Sequence, residues 1–255
     1  MTHETLTVTS ADGVEVITLN RPAVMNALNA AMRAEIAAVV SATTARVVVL
    51  TGAGRGFCSG QDLGDADPAT LDIEGTLNRE YVPMLRAIRD CPVPVIAAVN
   101  GHAAGAGANL ALMCDVVIAS EAASFTQAFL RIGLIPDAGG TWTLPRQVGS
   151  ARAFGAALFA EPVPARQAAD WGMIWEAVPA ERFDAHWRAR AAQVAAAPAG
   201  AVRALKRAFG ASPVNDLEAQ LRLEAELQGQ CGADPDFAEG VAAFREKRPA
   251  RFNRG

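Results

Sequence analysis

Four β-branched runs, at residues 14–19, 47–50, 93–99 and 115–119, alternate with helical patterns at 27–41, 77–90 and 106–113. No other feature constrains the fold as tightly. β-branched side chains suit the pleated surface of a strand. A repeated strand-then-helix order builds an α/β fold with mostly parallel pairing, because each helix returns the chain to start the next strand in the same direction. After about residue 190 the strand signal ends. Helical patterns follow at 201–209, 216–228 and 237–245, divided by Ser212-Pro213 and Asp234-Pro235. Asp216, and Asp234 or Asp236, stand where they can cap helix starts. Phe237, Val241 and Phe244 form an apolar stripe at helical spacing, and such a stripe on an appended arm suits packing on a neighbouring subunit. The chain divides accordingly into a core, 1–190, and a helical arm, 191–255.

Composition narrows the class. With 255 residues the chain can bury a sizeable core. Hydrophobic residues make up 51% and charged residues 20%, which marks a globular chain rather than a disordered one. The formal net charge of −4 argues against a nucleic-acid partner. Two basic clusters, Arg203, Lys206 and Arg207, then Arg245, Lys247, Arg248, Arg251 and Arg254, read as solvated helix faces. Cys58, Cys91, Cys114 and Cys231 fit neither a zinc motif nor a small disulfide scaffold, so free buried thiols in a reducing compartment are expected. His3, His102 and His186 are scattered and offer no metal cluster. Met1-Thr2-His3-Glu4 lacks the basic start and apolar run of a signal peptide. The apolar region 93–119 is broken by Asn100, His102, Asn109 and Asp115, and reads as core rather than membrane span.

Two glycine-rich turns interrupt the alternation. The first runs Thr51-Gly52-Ala53-Gly54-Arg55-Gly56-Phe57-Cys58-Ser59-Gly60-Gln61-Asp62-Leu63. It superficially resembles a phosphate loop but lacks the closing Gly-Lys-Ser/Thr, and it does not match Gly-x-Gly-x-x-Gly. Its glycines either free the backbone for close ligand approach or serve an ordinary strand-to-helix turn. The second, Asn100-Gly101-His102-Ala103-Ala104-Gly105-Ala106-Gly107-Ala108-Asn109-Leu110, is almost wholly of small residues. A helix starting at Ala106 would offer unpaired N–H groups and a positive dipole end; tight helix-on-strand packing asks for the same small residues. Downstream, Gly133-Leu134-Ile135-Pro136-Asp137-Ala138-Gly139-Gly140-Thr141-Trp142 carries one carboxylate among apolar and small neighbours. Asp137 suits a base that moves a proton beside an oxyanion, or a cap for a helix beginning near Gly139. His102 reads as a packed core or surface residue, and Asn109 as a satisfied polar group on a helix.

Together these stretches resemble the enoyl-CoA hydratase/isomerase (crotonase) superfamily. The resemblance covers essentially the whole chain, from Leu19-Asn20-Arg21-Pro22 and Asn26-Ala27-Leu28-Asn29 to the helical tail. Residues 54–63, 103–108 and 133–142 are closer still to the 1,2-epoxyphenylacetyl-CoA isomerase branch of phenylacetate degradation, as are Trp171-Gly172-Met173-Ile174-Trp175 and Glu239-Gly240-Val241-Ala242-Ala243-Phe244. The resemblance implies a crotonase-type superhelix of ββα units with a C-terminal helical oligomerisation arm, assembled as a trimer or hexamer. It implies that the N–H groups of Gln61 and Ala106 form an oxyanion hole for a thioester carbonyl. Gln61, Asp62, Leu63 and Gly64 would line the thioester region, and Ala23, Val24, Met25 and Asn26 would run near the adenine and pantetheine of coenzyme A. The family's hydratases use two glutamates. Their positions correspond here to Asn109 and Phe129, which cannot transfer protons. The isomerase branch uses an aspartate at the position of Asp137.

The chemistry is consistent with that resemblance. Hydration needs one group to activate water and another to handle the second proton. Isomerisation needs one base that takes a proton from one carbon and returns it two carbons away. A carboxylate in an apolar pocket becomes a stronger base through desolvation, and N–H donors aimed at an enolate oxygen lower the barrier to its formation. The expectation is a cytoplasmic acyl-CoA isomerase for an unsaturated or epoxidised thioester. It would need no metal or redox cofactor, coenzyme A being carried by the substrate, and no nucleic acid or membrane. Enoyl-CoA hydratase is the nearest rival. An RNA-binding or scaffold role is opposed by the acidic charge and the lack of an aromatic-basic stripe. Pocket depth would depend on residues 65–81, where no motif can be read.

Overall fold

The computed structural model describes residues 3–64 and 71–252. Residues 65–70 of the expected depth-setting segment, and Arg254 of the second basic cluster, lie outside them. The chain opens with strands β1 (Leu6–Ala11) and β2 (Val14–Leu19), helix α1 (Ala30–Ala42), then β3 (Val47–Gly52) and β4 (Gly56–Cys58). A short helix α2 (Ile73–Thr76) and a π-helical turn, Leu77–Tyr81, lead into α3 (Val82–Asp90). Next come β5 (Val95–Val99), β6 (His102–Ala104), α4 (Ala106–Leu112), β7 (Val116–Ser120) and β8 (Ser124–Thr126). The remainder is α5 (Gly140–Phe159), β9 (Val163–Pro164), α6 (Ala165–Asp170), β10 (Glu176–Val178), α7 (Ala180–Ala195), α8 (Ala199–Ala211), α9 (Leu217–Ala233) and α10 (Pro235–Glu246).

The strands form two sheets. One has the order β1-β2-β3-β5-β7-β10 and is parallel except for the β1–β2 hairpin. The other, β4-β6-β8-β9, is built from short strands. Each of β3, β5 and β7 therefore passes directly into a partner strand of the second sheet before the next helix, a repeated ββα unit. In β3 the side chains of Val48 and Leu50 enter the core between the sheets, whereas Val47 and Val49 pack outward against Phe183, Trp187, Ala191 and Ala195 of α7. Burial on both faces explains why this strand reads as an unbroken apolar run. Residues 93–119, expected as core, become β5, β6, α4 and β7, and every residue of α4 is buried. Among the described residues no helix is long and apolar enough to cross a membrane.

Sequence reading passed over the strands inside the glycine turns. Gly56–Cys58 and His102–Ala104 are each three residues long and pair with each other, so they carry no local periodicity. It also passed over β1, although Asp12-Gly13, both at positive φ, is a recognised two-residue hairpin turn. The three C-terminal helices form as expected. Asp216 accepts a hydrogen bond from the Ala219 N–H, and Asp234 accepts one from Asp236. Phe237 and Phe244 of the anticipated stripe stand exposed. Helix α7 spans residue 190 and still packs on the first sheet through Ala191 and Ala195.

One basic residue departs from the solvated-face expectation. Lys206 Nζ donates to the carbonyls of Ile88 (3.2 Å) and Val93 (3.0 Å) and pairs with Asp115 at 2.7 Å. It fastens α8 to the end of α3 and the start of β5. Cys58, Cys91 and Cys114 are buried free thiols and Cys231 is half-buried.

The close seating of α4 on β4 depends on Gly107, where an added β-carbon would collide with the carbonyl of Cys58. Gly107→Ala is expected to lower unfolding stability by about 1–3 kcal/mol through overpacking. Urea denaturation checks this, and an unchanged midpoint would show that the two elements have room to separate.

Candidate active site

Parallel pairing of β4 with β6 brings the two glycine turns side by side. A β-carbon on Gly60 (φ +96°) would lie 2.8 Å from the Ala104 carbonyl oxygen and 3.3 Å from the Ala106 nitrogen. Only glycine permits this approach, and it sets Gln61 beside Ala106.

The direction of both N–H groups follows from their peptide units. The carbonyl of Gly60 accepts from the Leu28 N–H at 2.8 Å, within the parallel bridge between Leu28 and Gln61. In a trans peptide the Gln61 N–H must point the opposite way, toward the cavity. Ala106 is the first residue of α4, so its N–H has no partner within the helix. The Gly105 carbonyl accepts from Asn109 N at 3.1 Å, which turns the Ala106 N–H outward as well. Both readings of the second turn hold, since its small residues also seat α4 against β4.

These groups form one wall of a cavity of about 150 Å³, whose other walls include Leu71, Leu77, Tyr81, Phe129, Leu134 and Asp137. A larger groove, about 800 Å³, opens under α8 near Trp142, Trp175 and Phe209, but none of the expected site residues lines it. The smaller cavity is distinguished by the two backbone N–H groups and the unpartnered Asp137 oxygen that share its walls.

Asp137 precedes two residues at positive φ, Ala138 and Gly139, that start α5. The helix cap is Gly139, and no side chain caps it, so the capping reading of Asp137 fails. Its Oδ1 is buried without a hydrogen-bond partner. Burial pushes the carboxyl up to about 6 from its ordinary value near 4, offset in part by a bond to its own backbone. Both ends of the Asn109 amide are engaged. It donates to the Asp137 carbonyl at 2.8 Å and accepts from Gln127 at 2.8 Å, fixing the backbone from which Asp137 projects. Phe129 is buried, with its ring against Gly105.

The segment before α1 is a 3₁₀ turn, Pro22–Val24, followed by Met25 and Asn26 in the left-handed region. Ala23 and Val24 are exposed and Met25 half-buried. Asn26 is buried, and its amide donates to the carbonyls of Ala53, Gly56 and Phe57 while accepting from the Arg21 N–H. Its side chain thus anchors the turn to β4. Asp62 pairs with Arg21 at 2.6 Å and accepts from the Gly64 N–H, while Leu63 and Gly64 are exposed at the rim. His102, half-buried, bonds Ser124 at 2.8 Å and does not line the cavity.

Sequence reading missed Arg33 and Tyr81. Tyr81 OH lies 2.6 Å from Gln61 Oε1, and Arg33 Nη1 lies 2.9 Å from the same oxygen. One signal was available: Arg33 occupies the buried stripe of α1 with Ile36 and Val40, where a charge is out of place unless it is paired.

Residues 9–255 match the family model for enoyl-CoA hydratase/isomerase. The chain belongs to the enoyl-CoA hydratase/isomerase family. A probable enoyl-CoA hydratase of Rhodobacter capsulatus is 60% identical over 254 residues, 99% of both chains. The 1,2-epoxyphenylacetyl-CoA isomerase of Escherichia coli K12 is 45% identical over 248 residues, 94% of this chain and 95% of that protein. The crystal structure of enoyl-CoA hydratase from Bacillus anthracis superposes with a TM-score of 0.90 at 31% identity, covering 99% of this chain and 100% of that one. The crotonase-type fold of ββα units with C-terminal helices expected from the motifs is the fold of this family.

The raised Asp137 carboxyl has a thermodynamic consequence. Its folded-state pKa lies above the unfolded value of about 3.9, so the folded chain binds the proton more tightly. Stability is lost as pH rises from about 4 through 6, and the deficit is constant above that. Asp137→Asn is therefore expected to raise the melting temperature at pH 7.5, with the difference vanishing near pH 4. Paired thermal scans at the two pH values check this; an equal shift at both would assign the effect to packing instead.

Proposed function

We propose that this family member is an acyl-CoA isomerase. It would convert a 3-enoyl-CoA to the 2-enoyl isomer, or 1,2-epoxyphenylacetyl-CoA to its oxepin, with the thioester oxygen held by the N–H groups of Gln61 and Ala106. In the double-bond reaction the Asp137 carboxylate removes the proton between the thioester and the alkene. The electron pair moves onto the thioester oxygen as an enolate, which the two N–H groups stabilise. The same carboxyl then returns the proton two carbons further along, and the double bond moves into conjugation. The observation that carries this reading is the unpartnered Asp137 oxygen in the cavity, and the family resemblance implies that Asn109 and Phe129 stand at the positions where the hydratases use acids. The E. coli isomerase, similar over nearly the whole chain, supports it further.

Coenzyme A would arrive as part of the substrate, passing Ala23, Val24 and Met25, with Asp62, Leu63 and Gly64 near the thioester. Proton transfer of this kind calls for no metal or redox cofactor. The exposed apolar stripe of α10 supports assembly as a homotrimer or hexamer, and we place the protein in the cytoplasm. Hydration of a 2-enoyl-CoA is the second reading, favoured by the name of the R. capsulatus relative.

Matched 3-enoyl-CoA, 2-enoyl-CoA and 1,2-epoxyphenylacetyl-CoA separate these readings by which is consumed. Wild type should isomerise far faster than it hydrates, and rapid hydration of crotonyl-CoA would refute the isomerase reading. Asp137→Asn should reduce isomerisation by at least about 10²-fold with thioester binding retained. Wild-type activity should fall with pH through about 6 as the base is protonated. Ala106→Pro removes a donor and should cost roughly 10²–10³-fold in turnover, with circular dichroism to establish folding; a folded, fully active proline variant would sink the oxyanion role.

A further inference from the structure

A buried polar cluster stands behind Gln61, and neither the oxyanion hole nor the proton transfer assigns it a part. Arg33 is 3% exposed. Its Nη1 donates to the Leu28 carbonyl and to Gln61 Oε1. Its Nε and Nη2 both donate to Glu80 Oε2, at 3.0 and 2.5 Å. The guanidinium lies 4.8 Å from the centre of the Tyr81 ring. Tyr81 is 2% exposed and closes the π-helical turn that delivers Glu80 and Tyr81 together to α1; such turns recur at functional sites. The Gln61 amide also donates to the Asp62 carbonyl at 3.2 Å.

The cluster grips both sides of the bridge that aims the Gln61 N–H. Arg33 holds the Leu28 carbonyl, and Leu28 N–H in turn holds the Gly60 carbonyl of the donor peptide. Arg33 and Tyr81 together hold the Gln61 side chain. Stability alone does not account for the arrangement, because a pair between the buried Arg33 and Glu80, whose side chain is 32% exposed, is a weak source of stability once desolvation of the guanidinium is counted. Gln61 Oε1 can only accept, so the Tyr81 hydroxyl proton is committed to it and is not available to a substrate. Burial holds the phenol above its ordinary range, so the bond persists at any working pH.

We propose that Arg33, Glu80 and Tyr81 form a positioning clamp that fixes the direction of the Gln61 N–H and with it the polarisation of a bound thioester. This rests on the reading of that N–H as an oxyanion donor. None of the three residues touches the reacting atoms in this scheme. They act through Gln61, and a misplacement of about 1 Å at such a site can cost 10²-fold in rate.

The test uses hexa-2,4-dienoyl-CoA, a conjugated thioester whose absorption moves to longer wavelength as its carbonyl is polarised. Tyr81→Phe removes one oxygen and Gln61→Met removes the gripped side chain while keeping the backbone donor. Each should lose most of the wavelength shift and about tenfold in kcat, with the thioester Kd changed less than about threefold. The double variant should be no worse than Gln61→Met alone, because that substitution already removes the partner of the Tyr81 hydroxyl. Circular dichroism establishes folding, and if Gln61→Met does not fold, Tyr81→Phe alone decides. A full wavelength shift and kcat in the folded Tyr81→Phe protein would overturn the clamp while leaving the thioester site intact. So would a loss of binding in step with kcat, which marks mere lining of the pocket. If the unmodified protein binds the dienoyl thioester without any shift, or does not bind it, the oxyanion reading falls and the clamp with it.

Discussion

The site hangs on a backbone-to-backbone contact. Gly60 lies against Ala104 and Ala106 at a distance that no side chain allows, and this contact makes two remote peptide N–H groups neighbours. Much of the rest serves it. The second sheet exists to pair β4 with β6, and α4 is seated on β4 through Gly107. The buried Asn26 amide ties the preceding turn to the same strand. Backbone donors held this way are set before any ligand arrives, so the proposed reaction requires no reorganisation when charge develops.

The carboxylate facing them follows the opposite logic. A buried Asp137 oxygen without a partner lowers the stability of the folded chain at neutral pH. Its own backbone offsets the deficit in part, and Asn109 spends its amide on the Asp137 carbonyl and on Gln127 rather than on the carboxylate. A group left unpaired in this way stays basic, as the proposed proton transfer requires. Unpaired N–H donors on one wall and an unpartnered acid oxygen on another give the cavity its chemical polarity.

The polar residues around the cavity divide by what they hold. Asn26, Asp62 and Asn109 hold loops; Arg33 and Tyr81 bond the Gln61 side chain, and Glu80 bonds Arg33. Lys206 does similar work at a distance, joining the helical arm to the body through two carbonyls and Asp115. These contacts join segments far apart in the chain, which is why their members read in sequence as ordinary surface or helix residues.

The sequence by itself determined the α/β class, the mostly parallel pairing of the long strands and the capped C-terminal helices, because those depend on local periodicity and on residues such as Asp216 and Asp234 a few positions from the groups they bond. Its motifs also carried the family, and through that resemblance Gln61, Ala106 and Asp137 as candidates. The tertiary structure alone decided the short second sheet, the direction of the two N–H groups, the failure of Asp137 to cap α5 and the engagement of Arg33 and Tyr81 with Gln61. The reason is physical. Strands of three residues have no period to read, a peptide's direction is set by what its carbonyl bonds across the fold, and a carboxyl's basicity is set by desolvation that no stretch of sequence records.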